Sequence, residues 1–320
     1  MPTWEPSASL ELLKQRAQML SELRAFFFHR NVLEVETPAL SQAANSDPYI
    51  ESFSLSNEQH FLHTSPEYAM KRLLASGSGD IYQICKVWRS EEAGNNHNPE
   101  FTLLEWYRVG FNYQQLMREV ELLLTSLLSL KKSSKFYSYQ QLFVEFLQLN
   151  PHKADHSTLI NCVRKNVPEL EIGDKTNWLK QDLLDVLLTH CLEPTFSSEQ
   201  LTFIYDYPVT QSALANIRVA TQTEEAVAER FEVYLGSREL GNGYQELTDA
   251  DKNSQVIASE LAQRKRQNQK VFPKDKYFLQ AMECGMPFTS GVAIGIDRLL
   301  MCKFNKSHIQ EVISFPWDTA

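Results

Sequence analysis

Two strand-like runs, Ile81 to Arg89 and Phe101 to Arg108, stand on either side of a polar loop containing Gly94, Asn95, Asn96, His97, Asn98 and Pro99. Glycine, proline and asparagine clustered between apolar-rich runs mark a turn, so the segment reads as a β-hairpin. Alternation along the strands puts Phe101, Glu105 and Tyr107 on one face, and Arg89 with Glu91 on one face if the first strand runs that far. A guanidinium beside an aromatic plane suits a nucleotide, because the fork holds phosphate or carboxylate while the ring stacks on a base. An ordinary half-solvated hairpin with an Arg–Glu pair would carry the same residues.

Apolar residues recur at helical spacing at Leu10, Leu13, Ala17, Leu20, Leu23 and Phe27, with Ser9 placed to cap the helix. Asn31 to Pro38 alternates like a strand and stops at a residue that cannot donate to a sheet ladder. Residues 111–130 look helical. The stretch from about 131 to 200 mixes short helical patterns with polar breaks and reads as an insertion in one catalytic domain spanning 1–320. Strand signals return at Leu201 to Tyr207 and Ala226 to Leu235, the latter followed by a turn at Gly236 and Ser237. Asp249 to Gln269 suggests a helix whose Arg264, Lys265, Arg266 and Lys270 form a basic, solvated end.

With 31 Lys+Arg against 40 Asp+Glu, the net charge of −9 leaves few cations to neutralise a phosphate backbone, which excludes a nucleic-acid-coating protein. A chain of 320 residues can bury a large core without disulfides or a structural metal. Its five scattered cysteines suit reduced thiols of a cytoplasmic protein, and the opening residues show no secretory signal. The most apolar stretch, Glu121 to Leu130, is far shorter than the roughly 20 residues that cross a bilayer, so no membrane partner is expected.

Glu232, Glu239 and Glu246 sit seven apart, and Gly241 and Gly243 flank Asn242. Such glycines permit close backbone approach by a ligand or an unusual turn. Carboxylates gathered in a dry site need a cation, either Mg²⁺ or a bound amine. In Gly291 to Arg298, Gly295 marks a strand-to-helix turn and puts Arg298 in the first helical turn, where its charge adds to a helix end that already favours anions. His152 and His156 are spaced i, i+4 but lack the context of a zinc site.

In this order, Pro38, Arg89 to Phe101 and Gly295 to Arg298 resemble motifs 1, 2 and 3 of the class II aminoacyl-tRNA synthetases. The lysyl subgroup is the nearest match, through the runs His97–Thr102, Glu229–Glu232 and Glu239–Asp249. The resemblance implies an α+β fold: an antiparallel sheet flanked by helices. Motif 1 begins almost at Met1, so no anticodon-binding OB domain is expected ahead of it. Together with the Thr64–Leu74 run and the Trp4-x-Pro-Ser opening, this is similar to a truncated paralogue family of lysyl-tRNA synthetase. Members of that family activate (R)-β-lysine with ATP and attach it to a lysine of elongation factor P. Ala293 fits them, where lysyl-tRNA synthetases have glycine, and its methyl group would favour the β-isomer; Ala69 departs from them, standing where histidine is usual.

The resemblance carries roles with it. Arg89 would hold the substrate carboxylate and the ATP α-phosphate. Glu91, Asn98 and Phe101 would hold the adenosine, with Leu240 beside it, and Arg298 would grip the γ-phosphate. Gly295 would let ATP lie against the backbone, and Glu232 and Glu239 would carry Mg²⁺. Ser65 and Glu67 would receive the amino group near the carboxylate, and Tyr107, Asn242 and Glu246 the ε-ammonium. Pro38 would belong to a homodimer interface, and tRNA is not an expected partner. A minimal lysyl-tRNA synthetase and a non-catalytic lysine or ATP sensor remain as alternatives.

Overall fold

The computed structural model describes residues 4–56, 59–170, 172, 178–222 and 225–320. Residues 1–3 of the opening and 171 and 173–177 of the 131–200 stretch lie outside the described residues. The chain runs through α1 (Leu10–Phe28), β1 (Leu33–Glu34), β2 (Leu40–Ser41), β3 (Phe61–Leu62), α2 (Glu67–Ala75), β4 (Ile81–Trp88), β5 (Glu100–Val109) and α3 (Tyr113–Leu128). Then come β6 (Lys135–Ser138), α4 (Tyr139–Leu147), α5 (His156–Asn166) and α6 (Lys180–Leu187). The remainder is β7 (Leu201–Pro208), β8 (Ile217–Arg218), β9 (Val227–Leu235), β10 (Arg238–Gln245), α7 (Ala250–Arg266), α8 (Lys276–Cys284), β11 (Thr289–Gly295) and α9 (Ile296–Lys303).

One large sheet has the order β1-β4-β5-β11-β10-β9-β7-β6, with β8 paired to β9. Its middle is antiparallel as expected, whereas β1–β4 and β6–β7 at the two margins are parallel. The parallel margins arise because β1 is joined to β4, and β6 to β7, through long crossovers containing helices rather than tight turns. Last in sequence, β11 lies between β5 and β10, and so joins the two hairpins.

On one face α1, α3 and α9 pack around the fully buried Trp106 and Phe27. Ser9 caps α1 by accepting the Leu12 N–H at 3.2 Å. The buried stripe of that helix is Leu12, Met19, Leu23 and Phe27, while Leu10 is exposed. The strand expected over 31–38 is confined to two residues: after the Val35 N–H reaches Tyr82 O at 2.9 Å, the chain leaves the sheet. Within 131–200 the helices α4 to α6 share a core with β7 and β9, and β6 extends the main sheet. No helix among the described residues is long and apolar enough to cross a membrane.

The expected basic helix end is largely a structural anchor. Arg264 is fully buried, lies 4.4 Å from the Phe272 ring, pairs with Glu51, and donates to Lys270 O and Asp47 O at 2.7 and 2.8 Å. Lys265 and Arg266 are exposed. A guanidinium with its donors taken by carbonyls and a carboxylate is a clamp between α7 and the 47–51 loop.

Candidate active site

Two cavities adjoin on the open face of the sheet. The first, about 180 Å³, is edged by Ser65, Glu67, Glu105, Tyr107, Glu246 and Glu260. The second, about 300 Å³, is edged by His97, Asn98, Phe101, Glu232, Glu239 and Arg298. They share a wall made of Arg89, Leu103, Arg230, Asn242 and Ala293. The structure therefore brings the residues of three separated sequence runs to one place.

Alternation on β5 does what its pattern predicts: Phe101, Leu103, Glu105 and Tyr107 all face the cavities. Glu105, which was not expected as a site residue, is the centre of the first one. Its two oxygens accept from Ser65 Oγ at 2.7 Å and Tyr107 OH at 2.6 Å. Burial, reinforced by the Glu67 charge, pushes its carboxyl up to about 7. The only sequence signal was its place on the Phe101–Tyr107 face.

Glu67 and Glu246 were assigned to the two ends of one substrate. In the ligand-free structure both pair with the fully buried ammonium of Lys71, each at 2.6 Å. Lys71 lies one helical turn after Glu67 on α2, the spacing at which oppositely charged side chains meet. Burial opposes its charge, and the two carboxylates outweigh that and hold it protonated. Gly291 leaves the space for this arrangement: a Cβ there would lie 2.4 Å from both the Tyr107 ring and Glu246 Oε1.

Arg89 follows the last residue of β4. Its guanidinium is 5.1 Å from the Phe101 ring, donates to Glu92 at 3.0 Å, and approaches Thr64 O at 3.5 Å. Glu91 does not join it. Because β4 ends at Trp88, strand alternation stops before Glu91, which is exposed and edges neither cavity; Glu92 takes the position. Asn98 is buried, donating to Glu100 O at 2.6 Å and accepting the Trp317 N–H at 3.0 Å.

Arg298 is set by the residue before it. Asp297 accepts the Thr102 N–H at 2.7 Å and pairs with Arg16 at 2.5 Å, fixing the start of α9 against β5. Arg298 then donates to Glu239 O at 2.9 Å and lies 2.5 Å from His97 Nε2. Burial and the Arg298 charge push the His97 pKa down, so its ring is neutral and accepts. At Gly295 a Cβ would meet no protein atom closer than 3.7 Å, so protein packing does not demand glycine there.

Gly241 and Gly243 have a different purpose from the ligand approach or turn expected. They sit inside β10, where a Cβ would lie 2.1 Å from Ala293 O and 2.5 Å from Gly291 O respectively. A β-bulge between Glu239 and Gly241 shifts the pairing with β9. Without it, Glu239 and Asn242 would point to opposite faces; with it, Asn242 Nδ2 lies 3.5 Å from Glu239 and both edge the second cavity. Leu240, the extra residue, is buried beside them. Glu232 faces the same cavity from β9 and pairs with Arg230 at 2.5 Å. Among the described residues no group of three or more His, Cys, Asp or Glu is arranged to hold a metal. Pro38 and Ala69 edge a third cleft of about 410 Å³, on the far side of the Ser65–Tyr68 segment.

The profile of tRNA synthetases class II (D, K and N) matches residues 4–319. The chain belongs to this family. Within it, the chain is 42% identical to the elongation factor P–(R)-β-lysine ligase of Haemophilus influenzae (strain PittGG), covering 99% of this chain and 98% of that one. It is 42% identical to the ligase of the same name from Pseudoalteromonas translucida, covering 98% and 97%, and 41% identical to that of Erwinia tasmaniensis, covering 99% and 98%.

Proposed function

We propose that this chain is an ATP-dependent ligase that activates (R)-β-lysine as its adenylate and transfers the β-lysyl group to a lysine ε-amine of elongation factor P. The observation that carries the reading is the meeting at Arg89 of an acidic cavity and a second one edged by Phe101, His97 and Arg298. The relatives' names supply the acceptor. We read the chain as one catalytic unit with 131–200 as an insertion, working in the cytoplasm as a homodimer with Pro38 at its interface.

In the first step a substrate carboxylate oxygen attacks the α-phosphorus, and the bond to pyrophosphate breaks. The carboxylate is already ionised, so no protein nucleophile is needed; positioning and charge stabilisation carry the rate. Arg89 holds the carboxylate and α-phosphate, Phe101 and Asn98 the adenosine, and Arg298 the γ-phosphate. Ser65 and Glu67 receive one amino group, with Tyr107, Asn242 and Glu246 around the other. Glu105 joins them as a carboxylate that Lys71 does not neutralise. In the second step the acceptor amine attacks the mixed anhydride, forming an amide and releasing AMP.

Glu232 and Glu239 edge the cavity assigned to the phosphates, and two carboxylates plus phosphate oxygens match the way Mg²⁺ binds. The ion would neutralise phosphate charge as pyrophosphate leaves.

The test is ATP–pyrophosphate exchange with (R)-β-lysine beside α-lysine, without tRNA. Exchange favouring the β-isomer is expected, and Arg89→Ala should abolish it. Exchange favouring α-lysine would support a minimal lysyl-tRNA synthetase, and none with either isomer a binding protein.

A further inference from the structure

We propose that Arg230 is a second catalytic cation of adenylate formation, donating its Nε–H to a non-bridging oxygen of the α-phosphate. This rests on the ligase reading above. Arg230 is one of five residues common to both cavities, and with Arg89 it is one of two cations among them. The bond between carboxylate and α-phosphorus has to form at that shared wall, because one reactant fills each cavity.

The side chain is held rigidly. Arg230 lies opposite Tyr244 on β10, its guanidinium 4.9 Å from the Tyr207 ring. Nη1 donates to Gln211 O at 2.9 Å and Nη2 to Glu232 at 2.5 Å. Nε is out of solvent and has no acceptor within the described residues. A buried, charged N–H without a partner is costly to keep, and it belongs to a residue that edges both cavities. The oxygens of a phosphoryl group crossing the wall would satisfy it.

The chemistry calls for such a donor. The carboxylate O–Pα bond forms as the Pα–O bond to pyrophosphate breaks, no proton moves, and two anions are forced together. Arg89 alone meets this poorly, since Glu92 already offsets part of its charge. A fixed donor aimed at the developing charge costs no reorganisation during the step.

Full-length Arg230→Gln and Arg230→Lys proteins, assayed by ATP–pyrophosphate exchange first at the Mg²⁺ concentration that saturates wild type and then above it, test this. Arg230→Gln should lower kcat by roughly 100-fold or more, with both KM values little changed, and Arg230→Lys should recover part of the loss. A kcat within about threefold of wild type, or a loss that extra Mg²⁺ restores, would overturn it; the latter would make Arg230 only a support for Glu232. If wild type shows no exchange with either lysine isomer, the ligase reading itself fails, irrespective of these variants. Should the variants not fold, the ¹⁵N-labelled Arg230 Nε–H signal of wild type is followed on adding a non-hydrolysable β-lysyl-adenylate analogue. A downfield shift with slowed solvent exchange supports the proposal, and an unchanged signal sinks it.

Discussion

The Lys71 ammonium lies 2.6 Å from the Glu246 carboxylate, and neither side chain reaches solvent. With Glu67 on its other side, this one cation neutralises two carboxylates without itself edging the cavity. The carboxylates at that cavity that Lys71 does not pair with are Glu105, Glu260 and Asp47.

Removing that cation leaves buried charge without a partner. Lys71→Met should destabilise the protein by about 3–5 kcal/mol, seen as a loss of several degrees in Tm. An unchanged Tm would show that water or a rotated side chain reaches Glu67 and Glu246.

Binding of β-lysine should depend on pH through Glu105. Its carboxyl is pushed up to about 7, first by burial and then by Glu67, so below that pH a proton must leave before an ammonium can pair with it. The KM for β-lysine should rise towards about tenfold per unit as pH falls below about 7, while the KM for ATP changes little. The same shift makes the ligand-free protein lose stability as pH rises from about 4 towards 7, since only the folded form retains the proton there. Glu105→Gln should weaken the KM dependence, leaving what Glu246 and Glu260 contribute at the same cavity, where burial pushes them up to about 8 and about 7; an unweakened dependence would place the titration on those two.

Two glycines should respond oppositely to alanine. At Gly291 the new Cβ would fall 2.4 Å from Tyr107 and Glu246, so Gly291→Ala should lower Tm and raise the KM for β-lysine. At Gly295 the nearest protein atom is 3.7 Å away, so Gly295→Ala should keep its Tm and raise the KM for ATP. A Gly295→Ala protein with unaltered ATP kinetics would show that the nucleotide does not approach the backbone there.

Arg264 should matter for stability and its exposed neighbours should not. Arg264→Met strands Glu51 and two carbonyls, and a loss of about 3–5 kcal/mol is expected from thermal denaturation. Lys265→Ala and Arg266→Ala should stay within about 0.5 kcal/mol of wild type. Equal effects from all three would contradict the clamp.

The sequence by itself marked α1, α3, α7, β4, β5, β7, β9 and the turn into α9, and which residues share a face along them. Period-two alternation on β5 put Phe101, Glu105 and Tyr107 on one face, and a glycine before an apolar helix put Arg298 at its first turn. These are local rules, set by backbone geometry within a few residues. Tertiary structure decided what those rules do not reach. The three-residue spacing of Glu239 and Asn242 is odd, so they share a cavity only because a bulge adds Leu240 to the register. Glu91 does not share the Arg89 face because β4 ends at Trp88, a boundary set by where its partner strand begins at Glu100. Arg264 resembled a solvated charge run until the 47–51 loop closed over it. Which carboxylate remains free for substrate was equally invisible, since charge compensation depends on distances between α2, β5 and β10 that no spacing along the chain encodes.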